Sequence, residues 1–298
     1  PQVALLYPIA SHQKNGTRPY SNSTYKLEGS LYMILDNQFP VEILMEHHLL
    51  GNMSKYPLIV IPECNYLDPE FRSVLKHYVE DGGKLLVVGS ETAELFRDEL
   101  GITSLDQQEA LPQFIAAENK IGGIRSPFAR VALSDGAEVI SNFYKASDFA
   151  QKGEIIASSS RKVGKGTIAA IYFNAGSAYT EYKSHLLRDY VGEHIASLFP
   201  EPDVTIKGSR LVHVAMNKKD DRTLINLINV SGDHNTKSVI GYDEIPYLKD
   251  LRVEIKTGSQ PKKIILQPEG RELAVEFKNG VSKVIVPELH IHSVLEII

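Results

Sequence analysis

The stretch Tyr56–Gly89, YPLIVIPECNYLDPEFRSVLKHYVEDGGKLLVVG, reads as one complete strand–helix–strand unit. Leu58–Ile61 (LIVI) and Leu85–Val88 (LLVV) are short, uninterrupted apolar runs, the pattern of parallel strands covered on both faces. Between them Asp68 is placed to cap a helix whose first residue is Pro69. Phe71, Val74, Leu75, Tyr78 and Val79 follow at helical spacing as one apolar stripe. Gly82-Gly83 supplies the left-handed residue that ends the helix. A right-handed crossover of this kind builds a doubly wound sheet, whose ligand sites lie beyond the C-terminal ends of the strands. Those ends read IPECNYL and GSETAE, and the question is whether they carry chemistry.

Working outward, Val3–Tyr7 is a first strand, followed by a long polar loop, IASHQKNGTRPYSNSTYKLEG. A loop of that length is usually functional or part of an interface. Tyr25–Leu35 reads as a helix, Val41–Met45 as a second strand, and Thr92–Leu100 as a short helix. The segment 101–160 is less regular, and its short alternating pieces (Ala129–Leu133, Ala137–Ile140, Ile155–Ser158) predict an antiparallel extension. Thr167–Phe173 is a strongly apolar strand after the hairpin-like turn Val163-Gly164-Lys165-Gly166. A long helix follows, with Leu187, Tyr190, Val191, His194, Ile195 and Leu198 on one face.

Phe199-Pro200-Glu201-Pro202 stops that helix and reads as a linker. Beyond it the pattern changes to short strands separated by turn signals: Leu211–Met216, Thr223–Asn229, Leu251–Lys256, Lys263–Leu266, Leu273–Phe277, Ser282–Val286 and Ser293–Ile297. The expected organisation is an α/β domain over residues 1–200 and a small all-β sandwich over 203–298.

A net charge of −5 with no dense basic stripe gives no reason to expect nucleic acid, and no apolar run is long enough to span a bilayer. The single Cys64 excludes an internal disulfide framework and any multi-cysteine metal site. The compartment stays open. The chain opens on Pro1 and runs directly into a strand, so we expect a processed protein or a piece of a longer one.

The strand leading into Gly89-Ser90-Glu91-Thr92 raises the class I glutamine amidotransferase possibility, in which a nucleophile sits on a tight strand-to-helix elbow. That elbow is typically G-x-C-x-G; here it is G-S-E-T-A, and no His-x-Glu pair follows. Cys64 lies after a different strand, without glycines beside it. Ser90 as a nucleophile is weighed against Ser90 as a helix cap, and the cap is preferred. Glu63 and Glu91 are a candidate carboxylate pair at the same edge, against solvated loop residues. His12 and Tyr20, on the first loop, are candidates to face that edge, as are Asn65, Asn174 and Tyr179.

The remaining histidines point to structure. His47-His48 lack spaced partners for a metal, His194 falls on the apolar stripe, and His290 and His292 alternate on a terminal strand. No cofactor and no metal are implied. Gly164-Lys165-Gly166 is too short for a phosphate loop.

The ordered set ALLY, FPVEIL (Phe39–Leu44), YPLIVIPECNYLDPEF, YVEDGGKLLVVG, KVGKGTIAAIYFNAGSAY, LFPEPDVTIKGS, RTLINLINVSG and LHIHSVLEI resembles the region after the catalytic barrel of bacterial glycoside hydrolases of the β-galactosidase type. The resemblance covers nearly the whole chain. It implies a glutamine-amidotransferase-like, flavodoxin-like domain, often called the trimerisation domain, followed by a small β-sandwich. In that family the domain has lost the amidotransferase cysteine, in keeping with G-S-E-T-A. The family's catalytic carboxylates lie on a barrel, which nothing here resembles, so no catalytic residue carries over. The resemblance implies a homo-oligomer whose carbohydrate substrate binds through a barrel outside this chain. Two alternatives are an independent hydrolase using Ser90, Glu63 and Glu91, and a carbohydrate-binding module. The chain has 14 Tyr but no Trp, which counts mildly against the module.

Overall fold

The computed structural model describes residues 2–16, 24–232 and 244–298. They form two compact units, Gln2–Ile34 with Glu42–Pro200, and Leu35–Val41 with Glu201–Ile298.

The first unit is built on a mixed nine-stranded sheet. Its elements begin with β1 (Val3–Tyr7), α1 (Ile9–Lys14), α2 (Tyr25–Asp36), β2 (Val41–Met45) and α3 (Glu46–Leu49). The strand–helix–strand unit follows as β3 (Leu58–Ile61), α4 (Pro69–Glu80) and β4 (Lys84–Val88). Then come α5 (Ser90–Glu94), α6 (Arg97–Leu100), β5 (Ile102–Ala117), β6 (Lys120–Leu133), β7 (Ala137–Tyr144), β8 (Lys152–Val163) and β9 (Gly166–Ile171). Helices α7 (Ala175–Tyr182) and α8 (His185–Leu198) complete it. Strand order is β2-β1-β3-β4-β9-β8-β7-β5-β6. The β1–β3, β3–β4 and β4–β9 pairs are parallel, and the pairs from β9 to β6 are antiparallel.

Every residue of β3 is buried, as a strand covered on both faces must be. Alternate residues Ile59, Ile61, Leu85 and Val87 pack with Phe71, Leu75 and Val79 of α4 in one core. Val74 departs from the expected stripe, being 37% exposed. Pro69 is the first residue of α4, but Asp68 makes no side-chain cap; it accepts the Tyr66 hydroxyl at 3.0 Å instead. Gly82 ends the helix at φ +121°, a conformation that disfavours any side chain.

The segment 101–160 is an antiparallel extension, as expected, but its strands are far longer than the alternating pieces suggested. β5 alone has 16 residues, and the β5–β6 hairpin turns through Glu118 and Asn119, both at positive φ. The long polar loop after β1 also contains a helix, α1.

The second unit holds β10 (Val204–Lys207), β11 (Val212–Lys219), β12 (Arg222–Asn229), β13 (Leu248–Lys256), β14 (Ile264–Gln267), β15 (Arg271–Leu273), β16 (Glu276–Lys278), β17 (Val281–Leu289) and β18 (His292–Ile297). They form two antiparallel sheets, β10-β13-β17-β16 and β11-β12-β18-β14-β15, sharing one apolar core. The run Leu273–Phe277, expected as one strand, divides into β15 and β16 in different sheets. Leu35–Val41 is tied to this unit by the His213 Nε2–Asp36 Oδ1 contact at 2.6 Å and by Gln38 Nε2 donating to the Ser209 carbonyl at 3.0 Å.

Candidate functional site

The parallel strands end at Pro8 after β1, Pro62-Glu63-Cys64-Asn65 after β3, Gly89-Ser90 after β4 and Asn174 beyond β9. In a sheet of this kind the helix N-termini along that edge present unpaired amides, which is why anionic ligands gather there. In this protein side chains occupy those amides. Glu46 accepts from Ile9 N and Ala10 N at the start of α1, at 3.2 and 3.1 Å. Asn174 Oδ1 accepts from Ser90 N at the start of α5, at 3.2 Å. Glu63 accepts from Ser177 N at 2.8 Å and from Ser177 Oγ at 2.5 Å, in the first turn of α7.

The elbow after β4 follows from local sequence. Gly89 stands at the N-cap with φ +111°, and a Cβ there would lie 2.8 Å from Glu63 Cγ. Ser90 is therefore the first helical residue and not the cap, contrary to expectation; having no side chain, Gly89 leaves the capping to Asn174. Ser90 is 2% exposed, and its Oγ lies 3.4 Å from Asn174 Oδ1, an amide oxygen that takes up no proton. Gln107 Nε2 donates to the Ser90 carbonyl at 3.1 Å and covers the elbow further. Among the described residues, the group bonded to the Ser90 hydroxyl is therefore no base of the kind that activates a serine.

Glu63 and Glu91 do not act as a pair. Glu91 is exposed, whereas Glu63 is buried against α7. Burial pushes the Glu63 carboxyl up, and hydrogen bonds from Ser177 and Gly176, with the nearby Lys26 charge, oppose that shift. Glu91 is not among the groups acting on it. Cys64 is buried, its thiol pushed up to about 12 by desolvation, and Thr92 Oγ1 accepts its backbone amide at 2.8 Å. A thiol held in that state is inert.

Three predicted residues do meet. His12, Glu63 and Asn65 line one small cavity of about 110 Å³, with Ser11, Lys26 and Cys64. At ~30 Å³ per water this is room for a few water-sized molecules. Asn65 Oδ1 accepts from Ser11 Oγ at 3.0 Å and Asn15 Nδ2 at 2.8 Å. The His12 ring packs 5.1 Å from that of Tyr7, and its pKa is drawn down by burial against the opposing charge of Glu46. Tyr20 lies outside the described residues. Tyr179 is buried, with the Lys183 ammonium 5.2 Å from its ring.

Nothing local in the chain announces the exchanged caps. The partners of Ser90 and Ser177 lie 84 and 114 positions away, beyond any local window. The available signal was Gly89 itself, an N-cap with no side chain.

Among the described residues no three of His, Cys, Asp and Glu cluster as metal ligands. His47 and His48 do touch, their rings 3.9 Å apart in the short turn of α3. His290 and His292 do not share a strand: β17 ends at Leu289 and β18 begins at His292. His290 instead stacks on Tyr247, which is 53% exposed, at 4.2 Å and 9°.

No family model matches the chain, and no curated protein matches its sequence. Solved structures do. An α-L-fucosidase isoenzyme 2 from Paenibacillus thiaminolyticus aligns over 99% of this chain and 48% of its own, with TM-score 0.77 and 18% identity. A GH42 β-galactosidase from G. stearothermophilus aligns over 99% and 40%, with TM-score 0.66 and 15% identity. A β-galactosidase from Bacillus circulans sp. alkalophilus aligns over 100% and 41%, with TM-score 0.65 and 13% identity. The likeness is one of fold, and the chain spans less than half of each of these proteins.

Proposed function

We propose that this chain is the non-catalytic C-terminal region of a glycoside hydrolase of the β-galactosidase type. In this reading residues 1–200 are a glutamine-amidotransferase-like domain of the trimerisation kind and 203–298 a β-sandwich. The strand order β2-β1-β3-β4-β9, with β5–β8 inserted before its last strand, supports a flavodoxin-like reading, for which the order is 2-1-3-4-5. The region serves homo-oligomer assembly and walls a sugar-binding cleft, with His12 and its neighbours in α1 facing the active site of a barrel outside this chain.

One observation carries the reading. The whole chain, both units in order, follows the fold of glycoside hydrolases more than twice its length. The edge where the fold elsewhere holds its chemistry is filled by Glu46, Asn174 and Glu63. The test is direct. The purified chain should turn over no p-nitrophenyl glycoside above buffer and should self-associate in sedimentation velocity. Turnover abolished by Ser90→Ala with Glu91→Gln would establish the independent hydrolase instead.

The exposed Tyr247–His290 stack favours a second reading, a carbohydrate-binding surface on the β unit. Flat titrations with a panel of oligosaccharides would dispose of it.

A further inference from the structure

The β unit carries a groove of about 820 Å³ on its four-stranded sheet. Register and burial fix which face it occupies. Leu251, Val253, Val284 and Val286 point into the core, so Arg252, Glu254, Lys283 and Ile285 between them point out. These four outward residues all line the groove. Asp250, at φ +54° and opposite Pro287, breaks the alternation, so the Lys249–Glu288 ion pair also faces outward. Leu248 packs on the core, which makes Tyr247 the next outward residue. The Tyr247–His290 stack therefore shares a face with the groove, about 17 Å along the strand from Arg252. The far wall is the corner where Leu273, Ala274 and Val275 pass from β15 to β16.

The groove combines apolar surface with a balanced set of charges. Ile285 is 54% exposed and lines it with Pro287, Ala274 and Val275. The carboxylates are Asp250, Glu254, Glu272 and Glu276, and the cations are Arg252, Arg271 and Lys283. The remaining carboxylate is met from outside, because Glu254 bridges both Lys283 and Lys207, each at 3.3 Å. Charges so matched leave no net field to draw in an anion or a cation. Among the described residues Arg252, Arg271 and Glu276 enter no ion pair, so their donors and acceptors are open to a ligand.

Tyr247 is positioned in advance. His290 stacks on one side of its ring at 4.2 Å and 9°. Asn229 Nδ2 donates to the Pro246 and His290 carbonyls, at 2.8 and 2.5 Å, and so ties together the two segments that carry the rings. Tyr247 still remains 53% exposed. A ring held in this way loses little freedom on binding. A sugar ring has C–H groups on its faces and hydroxyls around its edge. Its faces suit Tyr247 and Ile285, and its hydroxyls suit the guanidinium and carboxylate groups beside them. An added β-strand suits the groove less well. Beyond Lys283 the edge of β17 is left unpaired by β16, and there Pro287 has no N–H to offer.

We propose that this face binds a linear, uncharged oligosaccharide, at a site that rests on the carbohydrate-binding reading of the β unit. One ring stacks on Tyr247, and the following units run past Lys249 and Glu288 to Ile285 and Arg252.

Isothermal titration of the whole chain with cello-, malto-, xylo- and galacto-oligosaccharides, their monosaccharides and an oligogalacturonate tests this. At least one neutral oligosaccharide should bind with Kd about 1 mM or tighter, about tenfold tighter than its monosaccharide and tighter than oligogalacturonate. Tyr247→Ala and Arg252→Ala, at exposed side chains near the two ends of the site, should each weaken that binding about tenfold. Neither should change the sedimentation coefficient of the chain. Flat titrations throughout would remove the carbohydrate-binding reading and this site with it. Binding indifferent to either substitution would keep that reading and overturn this site, as would oligogalacturonate binding more tightly than every neutral sugar. Dissociation of an oligomer by either substitution would assign the face to a second copy of the chain and overturn the proposal.

Discussion

Asn174 stands at the start of one helix and caps another: its Oδ1 accepts the Ser90 amide at the head of α5, 3.2 Å away. The helix that Asn174 begins is capped in turn from β3, by Glu63. Asn174→Ala removes the acceptor of one orphan amide and should cost about 1 kcal/mol, the usual worth of a cap. Glu63→Ala strands a half-buried amide and a hydroxyl together and should cost about 2 kcal/mol, with Glu63→Gln milder. Urea unfolding of the three variants gives the comparison. Equal and negligible losses would show that these side chains do not hold the edge together.

Helices α2 and α7 cross at a contact between two glycines. A Cβ on Gly29 would lie 1.8 Å from the Gly176 carbonyl oxygen, and one on Gly176 would lie 2.5 Å from the Lys26 carbonyl. Gly29→Ala gains about 1 kcal/mol of helix propensity, but it must push two backbones apart, an overpacking that costs about 1–3 kcal/mol or more. We expect a net loss, read as a lower thermal midpoint. The Thr180 Oγ1 bond to the Tyr25 carbonyl, 2.7 Å, is the contact a shifted α7 would break first.

Cys64 offers a chemical check on the same edge. It is the only cysteine, it is buried, and its thiol sits near 12, so almost no thiolate exists at neutral pH. An aromatic disulfide reagent should label no thiol in the folded protein and one after denaturation. Rapid labelling of the native chain would mean that the edge opens.

These positions also mark the limit of what the chain reveals in one dimension. β3, α4 and β4 are legible because each is specified within a few residues: buried apolar runs, Pro69 at the first turn, Gly82 past the last. The strands of 101–163 are harder to read because they are half-exposed along much of their length. β5 alternates only loosely, so its 16 residues carry little period-two signal. The corner at Ala274-Val275 looks like the interior of one strand because nothing local distinguishes a change of sheet. At the candidate edge, sequence brought out His12, Glu63 and Asn65, which do share a cavity, and it noted the missing cysteine. It could not show that Glu46, Glu63 and Asn174 fill the helix ends, since those pairings are made by the sheet order.

His194 ties stability to pH in a direction that can be worked out. Burial draws its pKa from 6.5 down to about 4, against the pull of the Tyr190 carbonyl. Between those values the unfolded chain binds a proton that the native chain refuses. This contribution is therefore fully present above about pH 6.5 and is lost as pH falls toward about 4. The loss between about pH 7 and 5 is on the order of 2 kcal/mol. Glu63, whose carboxyl is raised by burial, works the other way: its contribution is present at low pH and lost as pH rises through its folded value. Comparison with a His194→Phe variant separates the two. The parent chain should lose urea resistance from about pH 7 to 5, and the variant, lacking the imidazole, should lose about 2 kcal/mol less over the same range. Parallel losses in the two proteins would show that the imidazole is not the group responsible.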